Sequence, residues 1–376
     1  MSENIPAGVQ AAFERSQHPF LMWEGIQSIP DGLADVLSRP VCNRIRQAAQ
    51  AIKERSVLHL LGCGTSYFAA VAGTYLFQEL AGCLSSASDA FEFFAYPPAH
   101  LDQAAVIGIS HTGTTKSVMQ ALELARQGGA LTLGITDGRQ SAIEQQADVC
   151  IPSGLGLERS LPKTRSYLSS VLRIYLLAVE LASLQGKDFS EYETVLLDSP
   201  QAARRVLDGV ENQMKELAHT FKSGVRRIVV VGAGPQLATA MEGALKLTEA
   251  ALMNSVAIQA EEFAHGAWYS VQPSDLIIFL AAQGHSFEKM LKLERAMRLV
   301  GTSTWLITDD PLGMDGIGVR TLLPQGIPEA LLPLYTILPI YQFTYYLALE
   351  RGLRPDNLNL SDPNFMAART LMRESV

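Results

Sequence analysis

The fold of this chain is decided by two matching stretches, VLHLLGCGTSY at residues 57–67 and RRIVVVGAGP at residues 226–235. Each begins as a short, unbroken apolar run, which is typical of a strand buried on both faces of a parallel sheet. Each run ends in a turn rich in glycine and other small residues, and a helix-like segment follows. A strand that leads through a glycine turn into a helix is the repeating unit of an α/β domain.

Two further pairs of stretches match in the same order. VIGISHTGT (106–114) corresponds to LIIFLAAQGHS (276–286), and LTLGITD (131–137) corresponds to TWLITDD (304–310). All three pairs are offset by about 170 to 172 residues, which indicates an internal repeat. We therefore predict an α/β fold with two tandem domains, each a three-layer α/β/α sandwich around a mostly parallel, Rossmann-like sheet.

The repeat also sets the predicted domain boundaries. The first domain is expected at residues 30–190 and the second at residues 200–350, with an N-terminal segment at 1–29 and a C-terminal tail at 351–376. Residues 185–199 are expected to form a connector that runs into the next helix.

Composition restricts the class of protein. The chain has 376 residues, of which 48% are hydrophobic and 18% charged, as in a packed α/β enzyme or an obligate oligomer. A net charge of −8 without a basic stripe argues against nucleic acid as a partner. The N-terminus lacks the layout of a signal peptide, and no apolar run reaches the roughly 18 residues of a membrane span. The four cysteines form no CxxC pair, so we expect free thiols, no metal site and a cytoplasmic protein.

The turn at residues 110–115, SHTGTT, offers hydroxyl groups at four positions where a predicted strand meets a helix. Such hydroxyls, with the N–H groups of the helix N-terminus, can surround a phosphate without a lysine. The alternative is that they only cap the helix. The neighbouring turn, GCGTS at residues 62–66, adds Ser66. Neither glycine turn matches the dinucleotide fingerprint and the P-loop pattern is absent, so we expect no nucleotide cofactor.

Proton-transfer chemistry is indicated by the segment that follows residue 235. Glu242, Lys246 and Glu249 lie at i, i+4 and i+7, on one face of a predicted helix. They form either a solvated stripe or, because the flanking residues are apolar, a buried functional cluster. A carboxylate such as Glu249 suits proton transfer between C1 and C2 of a sugar, and His265 suits ring opening. His111 and His285 are the other histidines considered for such a role.

These motifs resemble those of the sugar-isomerase (SIS) domain family. Within it, the chain is similar to the isomerase half of glucosamine-6-phosphate synthase and to stand-alone phosphosugar isomerases and amino-sugar-phosphate deaminases. The resemblance runs from MWEGIQSIPDGL (22–33) to RGLRPDNL (351–358) and implies two tandem SIS domains.

The resemblance also implies roles for residues of this chain. Glu249 would shuttle the proton, Lys246 would stabilise the developing negative charge, and His265 would assist ring opening. His265 would come from the other subunit, which implies a homodimer. The implied phosphate-binding residues are Ser66, Ser110, His111, Thr112 and Thr115. Weaker sugar contacts are implied for Gly64 and Thr65, and for Leu161 and Lys163 of the loop GLERSLPKTRSY (156–167).

The chain departs from the synthase pattern in two respects. We expect no N-terminal glutaminase domain, and the tail from residue 355 has no lysine that could form a Schiff base with the sugar. The resulting hypothesis is an enzyme without cofactor or metal that isomerises or deaminates a hexose 6-phosphate or hexosamine 6-phosphate. The alternatives are a fructosamine-6-phosphate-type deglycase and a non-catalytic sensor of sugar phosphates.

Overall fold

The first sheet contains five parallel strands, and its order follows from its crossovers. The structure is a computed structural model that describes residues 7–311 and 318–374. The strands of this sheet are β1 (Val57–Gly62), β2 (Leu84–Asp89), β3 (Ala104–Ile109), β4 (Leu131–Thr136) and β5 (Val149–Pro152). Their order is β2-β1-β3-β4-β5, so the chain reverses direction across the sheet between β1 and β3. At such a reversal the turns after the two strands diverge and leave a crevice for a ligand.

The second sheet repeats this arrangement. Its strands are β6 (Arg227–Gly232), β7 (Ser255–Gln259), β8 (Asp275–Leu280), β9 (Ser303–Thr308) and β10 (Val319–Leu322). The order β10-β9-β8-β6-β7 is that of the first sheet, and all pairings are parallel. The central strands β3 and β8 are buried along their whole length, as their unbroken apolar runs predict.

Helices cover the faces of both sheets. In chain order they are α1 (Leu21–Gln27), α2 (Ile29–Val36), α3 (Arg39–Ile52), α4 (Thr65–Leu76), α5 (Ala90–Ala95), α6 (Lys116–Gln127), α7 (Ala142–Gln146), α8 (Arg165–Leu184), α9 (Ser190–Phe221), α10 (Gln236–Ala251), α11 (Ala260–Ala264), α12 (Phe287–Val300), α13 (Pro333–Glu350) and α14 (Pro363–Glu374). The predicted fold class, two tandem α/β domains each built on a parallel sheet, is confirmed.

Helices α4 and α10, which follow the equivalent strands β1 and β6, pack against each other and join the domains. Small residues permit close approach in this layer. A Cβ on Gly73 of α4 would collide with Ile174 of α8, and one on Gly243 of α10 would press on Ile340 of α13 at 3.1 Å. The close packing brings the polar side chains at the start of α4 within reach of those on α10.

Helix α8 is a core helix. By length and composition it is the one helix in the described ranges that could cross a membrane, but 78% of its most apolar 18-residue stretch is buried inside the protein. The fully buried guanidinium of Arg173 lies within this helix.

The connector expected at residues 185–199 is shorter than predicted, because α9 begins at Ser190 and continues through Pro200. The segment after α13 contacts the segment that begins α1. Asp356 accepts hydrogen bonds from the backbone N–H groups of Leu21 (2.7 Å) and Met22 (2.9 Å), which fixes the start of α1 to the tail.

Candidate active site

A cavity of about 820 Å³ opens at the carboxyl ends of β1 and β3, where the first sheet reverses its strand order. Its wall is formed mainly by the two polar turns, the loop before α8 with the start of that helix, and one face of α10, and Phe91 of α5 and Met372 of α14 complete it. It contains nine of the residues expected at the site: Gly64, Thr65, Ser66, His111, Thr112, Thr115, Leu161, Lys163 and Glu249. The turns of the first domain and the acid–base helix of the second therefore share one cavity.

The turn at residues 110–115 presents hydroxyl groups that the helix does not use. Thr115 is the N-cap residue of α6, yet its side chain makes no capping hydrogen bond. The Thr115 hydroxyl instead lies 2.8 Å from the hydroxyl of Ser110. Thr112 and Thr114 pair in the same way at 2.9 Å. The capping alternative is therefore wrong for Thr115, since no side chain in the described residues caps the N-terminus of α6.

Ser110 is buried beneath this turn and stabilises it, and it does not line the cavity. It is 1% exposed, and its Oγ accepts the N–H of Gly113 at 3.0 Å. Gly113 has a φ of 69°, and a Cβ at this position would collide with the side chain of Ser141. Only glycine satisfies both requirements, so the turn depends on Gly113.

His111 is the histidine of the cavity wall, and a buried ion pair holds it in place. Its Nδ1 lies 2.9 Å from Oδ2 of Asp137, which follows β4. The other oxygen of Asp137 accepts from Nη2 of Arg173 at 2.5 Å, and Arg173 is fully buried. Burial by itself would raise the pKa of Asp137, but the charges of Arg173 and His111 outweigh it and lower that pKa.

The loop before α8 is organised around a second buried carboxylate, Glu158. It accepts hydrogen bonds from the backbone and hydroxyl groups of Thr164 and Ser166. Lys163, which reaches the cavity, donates to the carbonyls of Glu158 and Ser160. Burial lowers the pKa of Lys163, although nearby carboxylates oppose the effect.

Three charged residues on α10 form a buried chain that ends in the cavity. Nζ of Lys246 lies 2.5 Å from Oε2 of Glu249 and 3.7 Å from Oε1 of Glu242. The side chains of Lys246 and Glu242 are 1% and 0% exposed, whereas that of Glu249 is 25% exposed. The solvated-stripe alternative is therefore wrong for Glu242 and Lys246.

Glu242, at the buried end of this row of three charged side chains, is hydrogen-bonded to residues of both domains. Glu242 accepts hydrogen bonds from the hydroxyls of Thr65 (2.9 Å) on α4 and Tyr341 (3.0 Å) on α13. Burial raises the pKa of Glu242 to about 7, against the opposing charge of Lys246. The pKa of Lys246 is raised: burial would lower it, but Glu242 and Glu249 together outweigh burial. Lys246 therefore keeps its charge next to Glu249.

His265 does not join Glu249 within one chain. It ends helix α11, its side chain is 74% exposed, and its Nε2 lies 3.0 Å from Oε1 of Glu261. It is absent from the wall of the cavity that Glu249 lines. The expected pairing of Glu249 with His265 is not made by this chain alone.

The equivalent turn of the second domain carries a protein carboxylate. The backbone N–H of Ala281 bonds to Ile307 as that of Ser110 bonds to Ile135, so the two turns correspond. Glu329 accepts from the backbone N–H of His285 at 2.9 Å and lies 2.7 Å from its ring Nδ1. Glu329, a carboxylate of the protein itself, thus pairs with the donors of His285 in this turn. The turn of the first domain is therefore the better candidate for an external anion.

Three buried charged residues at the site were not predicted from the sequence: Asp137, Glu158 and Arg173. One signal was available, because Arg173 interrupts the apolar run VLRIYLLAV (171–179) and an arginine buried in a core helix needs a carboxylate partner. Which carboxylate that would be depends on the packing of α8 against the end of β4.

Comparison with known proteins agrees with the two-sheet fold. The family model of the SIS domain matches residues 52–180 and 223–313, one match on each sheet. The chain belongs to the SIS domain family. This SIS protein is 30% identical over 308 residues to the glutamine–fructose-6-phosphate aminotransferase (isomerizing) of Gloeobacter violaceus, an alignment that covers 80% of this chain and 50% of the relative. The chain thus spans about half the length of that relative.

Solved structures share the fold of this SIS protein. The C-terminal domain of glucosamine-fructose-6-phosphate aminotransferase from Francisella tularensis superposes with a TM-score of 0.82 at 18% identity, covering 91% of this chain and 99% of that one. Glucosamine-6-phosphate deaminase from Thermotoga maritima gives a TM-score of 0.69 at 20% identity, covering 89% and 96%. At these identities the similarity shows a common fold.

Proposed function

We propose that this SIS protein moves a proton between C1 and C2 of a hexose 6-phosphate or hexosamine 6-phosphate. The outcome is isomerisation or release of the amine. The observation that carries the proposal is Glu249, whose carboxylate lines the same cavity as the hydroxyl turn while its partner Lys246 is buried behind it. The names of the aminotransferase relative and of the deaminase with the same fold support this class of substrate.

The proposed phosphate site is the turn at residues 110–115 with Ser66. Thr112, Thr115 and Ser66 offer hydroxyls to the cavity, and the helices α4 and α6 begin beside them. Hydroxyls and helix N-termini suit a phosphate oxygen. With the phosphate bound there, the sugar would extend toward Glu249 on the second domain.

In the proposed reaction, Glu249 removes the proton from C2 of the open-chain aldose. The electron pair of the C–H bond forms a C1=C2 double bond, and the former carbonyl oxygen at C1 gains a proton to give an enediol. Returning the proton to C1, with loss of the proton on O2, gives the ketose. The charge of Lys246, held 2.5 Å from Glu249, would stabilise the negative charge that develops.

With a hexosamine 6-phosphate the same proton transfer gives an enolamine. Protonation at C1 then produces an imine at C2, which water hydrolyses to the ketose and ammonia. Both outcomes need the same base, so the choice between them depends on the substrate offered.

Ring opening requires a further acid–base group, and we propose His265 of a second copy of the chain for it. Within a single chain, His265 lies outside the site: its side chain is 74% exposed, and it is absent from the cavity wall. A second copy of the chain would therefore have to supply it. A homodimer that contributes His265 in trans would show mixed-subunit complementation. Inactive Glu249→Gln and His265→Asn variants, when mixed and re-assembled, would regain up to about one quarter to one half of the wild-type activity.

A panel of hexose and hexosamine 6-phosphates tests the function, with ammonia and ketose measured in each reaction. Ammonia with ketose would identify a deaminase, and ketose alone an isomerase. The Glu350→Gln variant, altered in a carboxylate that pairs with Lys222 away from the cavity, is the matched control for Glu249→Gln. Binding of a sugar phosphate without any product would contradict the enzyme and favour the sensor.

A further inference from the structure

The lysine behind the proposed base has no donor left for a ligand. Nζ of Lys246 lies 2.5 Å from Oε2 of Glu249, 3.3 Å from the hydroxyl of Thr65 and 3.7 Å from Oε1 of Glu242. An ammonium group has three N–H donors, and three protein oxygens surround this one. The side chain of Lys246 is 1% exposed, and the residue is absent from the cavity wall. Its charge therefore acts through Glu249, without contact to a ligand.

Lys163 lines the cavity and keeps a donor available. It belongs to the loop before α8 and forms part of the same wall as Glu249. Two of its donors are directed to backbone carbonyls, that of Glu158 at 2.9 Å and that of Ser160. Within the described part of the chain, its Nζ makes no other hydrogen bond and no ion pair. The third N–H donor of the ammonium group is therefore free to bind a ligand.

The loop fixes this ammonium group without neutralising it. The carboxylate of Glu158 is buried and accepts hydrogen bonds from the backbone and hydroxyl groups of Thr164 and Ser166. Lys163 donates to the backbone carbonyl of Glu158 and not to that carboxylate. Burial lowers the pKa of Lys163, and the charges of Glu158 and Glu249 oppose this effect. The loop thus holds a lysine in the cavity wall without a direct ion-pair partner among the described residues.

Few cations line this cavity. Among the described residues its wall contains two lysines, Lys116 and Lys163, and no arginine. Lys116 is exposed and begins α6 directly after the hydroxyl turn, so it belongs to the proposed phosphate end of the cavity. Lys163 lies within the range of the charge of Glu249. Lys163 is therefore the lysine available to the part of the sugar that meets the base.

The proposed reaction develops negative charge on an oxygen of the substrate. When Glu249 takes the proton from C2, the electron pair of the C–H bond forms the C1=C2 double bond. The π electrons of the carbonyl group then move onto its oxygen at C1. A cation in contact with that oxygen stabilises the transition state more than a cation held behind the base, because charge–charge attraction falls with distance.

We propose that Lys163 donates a hydrogen bond to this carbonyl oxygen and stabilises the enediolate that forms there. The inference rests on the proposed function. Lys163 forms no covalent bond with the sugar: its ammonium group pairs with the oxygen until that oxygen gains a proton from solvent to give the enediol. Lys163 is then a catalytic residue, whereas Lys246 acts through Glu249. With a hexosamine 6-phosphate the same oxygen carries the charge.

The Lys163→Met variant removes the charge and keeps a long, flexible side chain. With the hexose or hexosamine 6-phosphate that reacts, its kcat should fall by about 10²- to 10³-fold. Lys292→Met, at an exposed position of α12 outside the cavity wall, is the matched control and should leave kcat unchanged. A Lys163→Met variant with the kcat of wild type would overturn the proposal.

Ligand binding separates the loss of charge stabilisation from damage to the loop. Arabinonohydroxamate 5-phosphate carries a hydroxamate group where the enediolate would lie, whereas glucitol 6-phosphate has a phosphate and no such group. In calorimetric titration, wild type should bind the hydroxamate more tightly than glucitol 6-phosphate by about 10²-fold. Lys163→Met should lose most of this preference and bind glucitol 6-phosphate with the affinity of wild type. An equal loss of affinity for both ligands would identify a structural role and overturn the proposal.

A covalent role of the lysine is tested directly. Borohydride reduces an imine between a lysine and a sugar to a stable amine. Incubation of wild type with fructose 6-phosphate and borohydride should leave Lys163 unmodified, as measured by mass spectrometry of its peptides. A sugar adduct on Lys163 would overturn the proposal, because the lysine would then act as a nucleophile.

These measurements also separate the inference from the proposed function. If wild type binds neither the hydroxamate nor glucitol 6-phosphate and turns over no sugar phosphate, the proposed function is wrong and the inference fails with it. If wild type is active while Lys163→Met keeps the wild-type kcat and the preference for the hydroxamate, only the inference is wrong.

Discussion

The ammonium group of Lys246 lies 2.5 Å from the carboxylate of Glu249, with the lysine buried and the carboxylate at the edge of a cavity. The ion pair fixes one oxygen of Glu249, and the residue is part of the cavity wall. Lys246 in turn is held by Glu242 and Thr65. The proposed base is thus positioned by contacts from both domains, and these contacts can be tested separately.

Glu242 should make stability depend on pH in a specific direction. Burial raises its pKa in the folded state to about 7 from an unfolded value of 4.5. The unfolded chain therefore loses this proton first as the pH rises. The stability that the protonated group contributes is complete below pH 4.5 and is lost as the pH rises to about 7. The difference in free energy of unfolding is on the order of 3 kcal/mol.

Urea unfolding of Glu242→Gln at pH 5 and pH 8 measures this effect. The variant should become more stable relative to wild type by up to about 3 kcal/mol between the two pH values. Glu216→Gln, on the exposed face of α9, is the control and should show no such change. An equal pH dependence of wild type and Glu242→Gln would show that Glu242 has the same pKa in the folded and unfolded chains, and would contradict the raised pKa.

Thr65 should matter through its hydroxyl group. It donates to Glu242 at 2.9 Å and lies 3.3 Å from Nζ of Lys246, which links α4 to α10. Thr65→Val keeps the shape but leaves a buried carboxylate short of one donor, at a cost of about 1–3 kcal/mol in stability. We expect kcat to fall as well, because Lys246 loses one of its contacts. Thr65→Ser keeps the hydroxyl and should retain most of the stability and most of kcat. Equal effects of Thr65→Val and Thr65→Ser would show that the hydroxyl group is not what matters.

Gly113 should be intolerant of any side chain. Its φ of 69° is strained for other residues by about 1–2 kcal/mol, and a Cβ would also strike Ser141. Gly113→Ala should therefore distort the hydroxyl turn and raise the KM for a sugar phosphate by at least about tenfold. The matched control is Gly209→Ala in the exposed middle of α9, where a Cβ meets nothing within 4 Å. It should leave KM unchanged and stabilise the helix by roughly 0.5–1 kcal/mol.

Seven of the ten strands in the described ranges were predictable because each is a mainly apolar run followed by a turn: the six of the three matched pairs, and the short run ADVCIPSG (147–154) that contains β5. The other three are less apolar or lack a clear boundary. LSSASD of β2 is largely polar and lies at a sheet edge, where one side needs no buried partner. SVAIQ of β7 follows α10 after only three residues, and β10 is a four-residue edge strand.

For the site, local sequence predicted the turns and the α10 cluster, but not the packing that connects them. The spacing of Glu242, Lys246 and Glu249 placed them on one helical face, whereas their burial depends on α4 and α13. The Asp137–Arg173 pair joins residues 36 positions apart, and no local pattern specifies it. Spacing along the chain identifies His265 as a candidate, but it does not indicate that His265 lies on the surface of a single chain, away from Glu249.

Hydrogen exchange with solvent tests the central claim that Glu249 moves the proton. Fructose 6-phosphate, or whichever hexose 6-phosphate the panel shows to react, would be incubated in D₂O and followed by NMR. Wild type and Glu350→Gln should introduce deuterium at C1 or C2. Glu249→Gln should bind the sugar phosphate with an affinity within a few-fold of wild type and exchange more slowly by a factor of about 10² to 10⁴. Deuterium incorporation by Glu249→Gln at the wild-type rate would contradict the account.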